Sequence, residues 1–205
     1  MNPKILTALD AEPFVSIEDC RKHLRLDDDG DSPPSHPDDD LVLGYLAAAR
    51  EWVEGYTGRA LTPRTLELAL DAFPVAGIAL PWPPAVSIVS VRYADGSGGE
   101  VELDPSAYSL DDYQSPCWLL PAYGVSWPQA APVANAVLVR YVAGYSHRLD
   151  ASQPRPLPKA LRNAALLLLT DLYENREGQS PLTLKELPMG VKSLCDWYRV
   201  RKGMA

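Results

Sequence analysis

The chain has 205 residues, 46% of them hydrophobic and 22% charged, which suits a globular protein of one domain or two small ones with a real core. Its net charge of −8 argues against a dedicated nucleic-acid binder, whose affinity rests on neutralising phosphates. The charge is uneven: residues 1–58 balance at −8, 59–154 at −4 and 155–205 at +4, so a basic end could meet an acidic neighbour or simply be solvated.

Cys20, Cys117 and Cys195 are odd in number and far apart, so neither a disulfide framework nor a metal cluster is indicated. They read as small core residues of a reducing compartment. The first residues lack a basic start followed by an apolar run, so no secretory signal is expected. No apolar run reaches membrane-spanning length. The expectation is a protein that is cytoplasmic when made.

Ser16 can cap a short helix near 17–24, with Glu18 and Asp19 in its first turn and Ile17, Cys20 and Leu24 on one face. Residues 27–40 contain no apolar side chain and read as an exposed acidic loop. Asp27, Asp29 and Asp31 alternate as calcium ligands do, but Ser32 and Asp38 stand where an EF-hand needs glycine and glutamate, so a solvated loop is preferred. Asp38 to Asp40 then give a negative start to a second helix. Leu41, Tyr45, Ala48, Ala49, Trp52, Val53 and Tyr56 form its apolar arc, with Arg50, Glu51 and Glu54 opposite and Leu43 outside it. Gly58 supplies a left-handed cap.

From Thr62 the period becomes alternating. Leu66, Leu68 and Leu70 share one face of a strand. Residues 85–93 are β-branched and, through the turn at 94–99, predict a hairpin with residues 100–104. Short extended pieces follow at 108–110 and 117–120, and residues 136–145 make the last clear strand. Most of the 20 prolines fall between residues 33 and 158 and keep these strands short.

Residues 157–177 hold the most apolar segment. Pro158 suits its first helical position, and Lys159, Asn163, Thr170 and Glu174 align as a polar stripe into which Leu166 falls. Leu166 to Leu169 cover every side within one turn, which requires burial on more than one side. A last short helix carries Val191, Leu194, Cys195 and Tyr198 on one face, with Arg199, Arg201 and Lys202 where cations suit its dipole. Strands grouped between helices, without βαβ alternation, predict an α+β fold: a small helical body, with a long central helix and amphipathic helices, and an inserted antiparallel β unit. The division expected is 1–61 for the N-terminal helices, 62–147 for the β unit, and 148–205 for the long helix and C-terminal segment.

No phosphate loop, dinucleotide fingerprint, zinc spacing or nucleophile elbow is present. His23, His36 and His147 stand apart from any ligand spacing, and Ser146, His147 and Asp150 are adjacent in a way that says little about a triad. Asp111 and Asp112, beside Tyr113 and Pro116, read as a turn rather than half of a carboxylate pair. Trp82, Trp118 and Trp127 leave open a sugar- or peptide-binding platform, against the commoner strand-end packing. The expectation is no enzyme, no cofactor and no metal.

The order of short helix, amphipathic helix ending AREWVEGYTGRAL, β segment with IALPWPPAVSIVSVRYADG and YVAGY, then LPKALRNAALLLLTDLYENRE resembles the head–tail connector (neck adaptor) proteins of long-tailed phages, prophages and gene transfer agents. The resemblance covers residues 15–199. It implies a structural protein forming a ring, twelve-fold on a twelve-fold portal, that extends the DNA channel and docks a tail-side neck protein. DNA passes without specific binding and no membrane is involved. The place implied is the virion neck, reached from the bacterial host cytoplasm during assembly. Portal templating of the ring would leave the isolated protein a monomer. Attachment to the portal maps onto residues 188–202, with Trp197, Tyr198, Arg199, Arg201 and Lys202 as contact candidates. A closed ring needs two different surfaces on each copy. Leu166, Thr170 and Glu174 on the long helix are candidates for one of them. The alternatives are a β-domain sugar- or peptide-binding module, or a hydrolase using His147. The resemblance leaves the long acidic 27–40 loop without a role.

Overall fold

The computed structural model describes residues 3–8, 14–27, 30, 35–145, 155–175 and 189–200. The fold is α+β, in two compact units: Met1–Asp10 with Gly58–Ser146, and Ala11–Thr57 with His147–Ala205.

Among its described residues the first unit is all-β apart from one 3-10 turn. Its strands are β1 (Lys4–Ala8), β2 (Arg64–Leu70), β3 (Ile78–Leu80), β4 (Ala85–Ala94), β5 (Glu100–Glu102), β6 (Tyr108–Asp111), β7 (Cys117–Pro121) and β8 (Val137–Ala143). They form a five-stranded antiparallel sheet in the order β1-β2-β8-β4-β5 and a three-stranded one in the order β3-β7-β6. Register sets the core. Leu66 lies opposite Tyr141, Leu68 opposite Val139 and Leu70 opposite Val137, so the alternating leucines of β2 meet the alternating apolar side of β8. Leu80, Cys117 and Leu119 of the smaller sheet join the same core, and Tyr141 donates its hydroxyl to the Pro81 carbonyl at 2.7 Å.

The predicted hairpin is there, with Arg92, Tyr93 and Ala94 paired to Glu102, Val101 and Glu100. Two register shifts in β4, between Ala85 and Ser87 and between Ile88 and Ser90, break its alternation, which leaves Val89 54% exposed and buries Ser90. Strands β1 and β3 have no counterpart in the sequence reading. After β8, Gly144 takes φ of +127° and passes so close to β2's approach that a Cβ there would lie 2.2 Å from the Thr62 carbonyl oxygen.

Among the described residues the second unit has four helices: α1 (Ile17–Leu24), α2 (Asp39–Thr57), α3 (Lys159–Glu174) and α4 (Met189–Asp196). Ser16 caps α1 by accepting from the Asp19 N–H at 3.2 Å, and Gly58 follows α2 with φ of +68°. Pro158 stands at the cap of α3, one place before the first helical residue.

Helix α3 packs against α1, α2 and α4. Leu166 is only 4% exposed, a core residue of the helix before it is a contact candidate; the open leucines of α3 are Leu167 and Leu172, at 38% and 36%. A stripe traced through polar residues does not fix which side is bare once three helices cover the cylinder. The buried face of α2 is also rotated from the expected arc. It runs through Val42, Leu46, Ala49, Val53 and Thr57, with Glu54 buried beside it, while Tyr45, Trp52 and Tyr56 flank it half-buried and Ala48 is exposed. The aromatic rings had drawn the arc toward themselves; their polar edges favour the flank.

Candidate interaction surfaces

Charge pairs fix the helix starts of the second unit. Arg21 donates from Nε and Nη2 to the two carboxylate oxygens of Asp39, at 2.8 and 2.5 Å, and the His36 N–H also reaches Asp39 at 3.0 Å. The Arg21 guanidinium holds the Asp39 carboxyl below the usual carboxylate range. Tyr173 near the end of α3 donates to Asp38 at 2.6 Å, and Arg162 pairs with Asp19 at 2.6 Å. The acids at the start of α2 thus tie α1 and α3 to it. The remaining acidic-loop residues fall largely outside the described residues, and the calcium question with them. Cys20 and Cys195 are buried, which pushes both thiols up to about 11 and keeps them protonated.

At the other end of α2 the chain builds a small aromatic platform. Trp52 and Tyr56 stack with centroids 5.0 Å apart and planes 12° apart. Tyr56 donates its hydroxyl to Asp196 at 2.7 Å, which raises its phenol above the ordinary value. The Arg199 guanidinium lies over the same ring at 5.1 Å, and the Val200 N–H donates to the Thr57 carbonyl at 2.8 Å. These contacts clamp the turn after α4. Within it Trp197 is 91% exposed, Arg199 is exposed and Tyr198 is half-buried. Arg201 and Lys202 lie outside the described residues.

Of the three candidates on α3, Leu166 is core, Thr170 is half-buried and donates to the Leu166 carbonyl at 3.1 Å, and Glu174 is exposed. The Tyr56–Asp196 clamp was invisible in the sequence, because its partners are 140 residues apart.

In the β unit the tryptophans make no exposed platform. Trp82, Trp118 and Trp127 are each half-buried, Trp82 and Trp127 pack against the core, and Trp127 stacks on Phe73 at 4.9 Å. Beside them Phe73, Val75, Pro121, Val125 and Pro132 line an open groove of about 530 Å³. Asp111 forms the turn expected of it, accepting from the Tyr113 N–H at 3.0 Å. His23 is exposed, His36 accepts from the Asp38 N–H at 3.0 Å, and Ser146, His147 and Asp150 lie outside the described residues. Among the described residues no group of three His, Cys, Asp or Glu is placed to hold a metal, and no helix is long and apolar enough to cross a membrane.

Residues 14–82 match the family model of phage gp6-like head-tail connector proteins. Over nearly its whole length the chain is also similar to chains of solved particle necks. One is in the neck of an empty GTA particle computed with C6 symmetry: 27% identity, 98% of this chain and 97% of that one, TM-score 0.76. Another is in the neck of the native GTA particle computed with C12 symmetry, at 26% identity, 98% and 97% coverage and TM-score 0.73. A third is in the virion of the native gene transfer agent (GTA) particle, at 27% identity, 96% and 95% coverage and TM-score 0.72. No curated protein matches.

Proposed function

We propose that this chain is a member of the head–tail connector family of phages and gene transfer agents and a structural adaptor in the neck of such a particle. It forms a ring below the portal, lengthens the DNA channel and presents a floor to a tail-side neck protein. The reading draws on the likeness to neck chains in particles computed with C6 and C12 symmetry, and twelve copies is the number it favours. Its role is architectural rather than catalytic. An acidic chain suits a conduit, since repulsion keeps DNA from sticking in transit. The protein is made in the host cytoplasm and ends in the virion neck.

The observation that carries the portal contact is the exposed Trp197 on its clamped turn. Aromatic and arginine side chains are the anchors of protein interfaces, and Tyr198, Arg199, Arg201 and Lys202 surround this one in sequence. Thr170 and Glu174 remain candidates for contact between copies.

The test is co-purification with the cognate portal, with electron microscopy of the mixture. Trp197→Ala should keep the wild-type melting curve and lose at least about tenfold in portal affinity. A truncation must begin after Asp196, because Val191 and Cys195 are fully buried and an earlier cut would open the core. Wild-type protein that never binds portal under assembly conditions would refute the reading.

A further inference from the structure

The five-stranded sheet is open, and its two free edges differ. Strand β1 ends it on one side and β5 on the other. A free edge presents unpaired N–H and C=O groups, which proteins cover or blunt unless the edge has a partner. On β1, Lys4 and Ile5 are exposed. Ile5 is the informative one. Register sets it opposite Leu66, on the side of the sheet that faces the core, yet Ile5 is 56% exposed where Leu66 is 1%. On β5, Glu100 and Glu102 are exposed and flank a half-buried Val101, and Glu100 is already paired with Arg92 of β4. One edge therefore offers an ammonium beside a bare isoleucine, and the other the Glu102 carboxylate beside a valine.

The strand directions allow these edges to meet. Each neighbouring pair in the sheet is antiparallel, so β1 and β5, the first and last of five, run the same way. A copy generated by rotation in a head-to-tail ring keeps that direction, and its β1 would lie parallel to β5. The edges of the smaller sheet fit less well: β3 (Ile78–Leu80) carries no charge, and the Asp111 carboxylate on β6 is engaged by its own turn.

We infer that copies join by sheet continuation, the β1 edge of one against the β5 edge of the next, with Lys4 facing the neighbour's Glu102 and Ile5 covering its Val101. The inference rests on the ring reading and adds to it the surfaces that close the ring. A ladder set by three residues of β5 is short. It holds as one contact repeated around a closed ring, and charge sets its register.

Two arms test it, each on full-length protein assembled on portal. Glu102→Lys should lower ring yield about tenfold, and Lys4→Glu combined with Glu102→Lys should restore it to within about twofold of wild type. Separately tagged Lys4→Cys and Glu102→Cys chains, mixed and oxidised in the assembled ring, should give covalent pairs between chains. A normal ring from Glu102→Lys, or a ring of mixed chains without cross-links, would overturn sheet continuation alone. A wild-type chain that forms no ring on portal would overturn the ring reading itself.

Discussion

The two units solve the same problem by different means. In the β unit the core is fixed by register: once Leu66 meets Tyr141, every inward residue of β2 and β8 has its place. Among the described residues the helical unit has no such ladder between its elements. Its apolar seams would tolerate sliding, and polar ties at the helix ends set the alignment: Arg21 with Asp39, Arg162 with Asp19, Tyr173 with Asp38 and Tyr56 with Asp196. The difference assigns vulnerabilities. The β unit should fail through backbone clashes and cavities, and the helical unit through cavities and charge.

The largest effect expected is in the β unit. Gly144→Ala puts a methyl 2.2 Å from the Thr62 carbonyl oxygen, at a φ of +127° that L side chains rarely adopt. Two backbone segments would have to separate, and the cost expected is at least about 3 kcal/mol. Urea unfolding measures it. A variant within about 0.5 kcal/mol of wild type would mean that this part of the unit is not held by backbone approach.

Next comes a contrast inside the helical unit. Leu166→Ala should cost about 3 kcal/mol and the adjacent Leu167→Ala under about 1 kcal/mol, because one side chain is 4% exposed and the other 38%. Equal losses in thermal unfolding would show that α3 is covered on a different side.

Those two leucines also show how far the sequence could be read. Helix α1 was legible to its ends, because Ser16 and the acids after it are a local signal that needs nothing distant. Strands β2 and β8 were legible because seven residues suffice for alternation. Strand β3, with three residues, and β1, with five at an edge, carry too little pattern to be seen. The α2 face was misjudged because Trp52 and Tyr56 weigh as apolar in a helical projection, whereas both flank the buried face half-exposed and the Tyr56 hydroxyl donates to Asp196. Leu166 and Leu167 differ by a single residue's rotation, which only the positions of α1, α2 and α4 decide. The portal-contact candidates were named through family likeness; the clamp beside Trp197 was not legible at all.

A smaller effect is expected from pH. Asp39 has its pKa lowered in the fold, chiefly by the Arg21 hydrogen bond. A lowered folded value means that the tie contributes fully above the ordinary carboxylate range and is lost as pH falls through the lowered one. Asp39→Asn should therefore be less stable than wild type at about pH 7, and the gap should be narrower at about pH 3, below the ordinary carboxylate range. Urea titrations at both values measure the gap. A gap that stays constant would mean that alignment of α1 on α2 owes nothing to that charge, and the contrast between the units would lose its electrostatic half.

The smallest effect is expected at the clamp. Tyr56→Phe deletes only the hydroxyl that donates to Asp196; the stack on Trp52 and the Arg199 guanidinium over the ring persist. The hydroxyl is at the surface, so water takes its place on Asp196, and melting should shift by no more than about 3 °C. Tyr56→Ala removes the ring as well and should free the turn that carries Trp197. Portal affinity then separates stability from function. If the clamp exists to present Trp197, Tyr56→Phe should bind portal nearly as well as wild type, and Tyr56→Ala should lose most of what Trp197→Ala loses. Undiminished binding by Tyr56→Ala would leave Trp197 as an anchor that orders on contact, with the helical unit contributing only its attachment point.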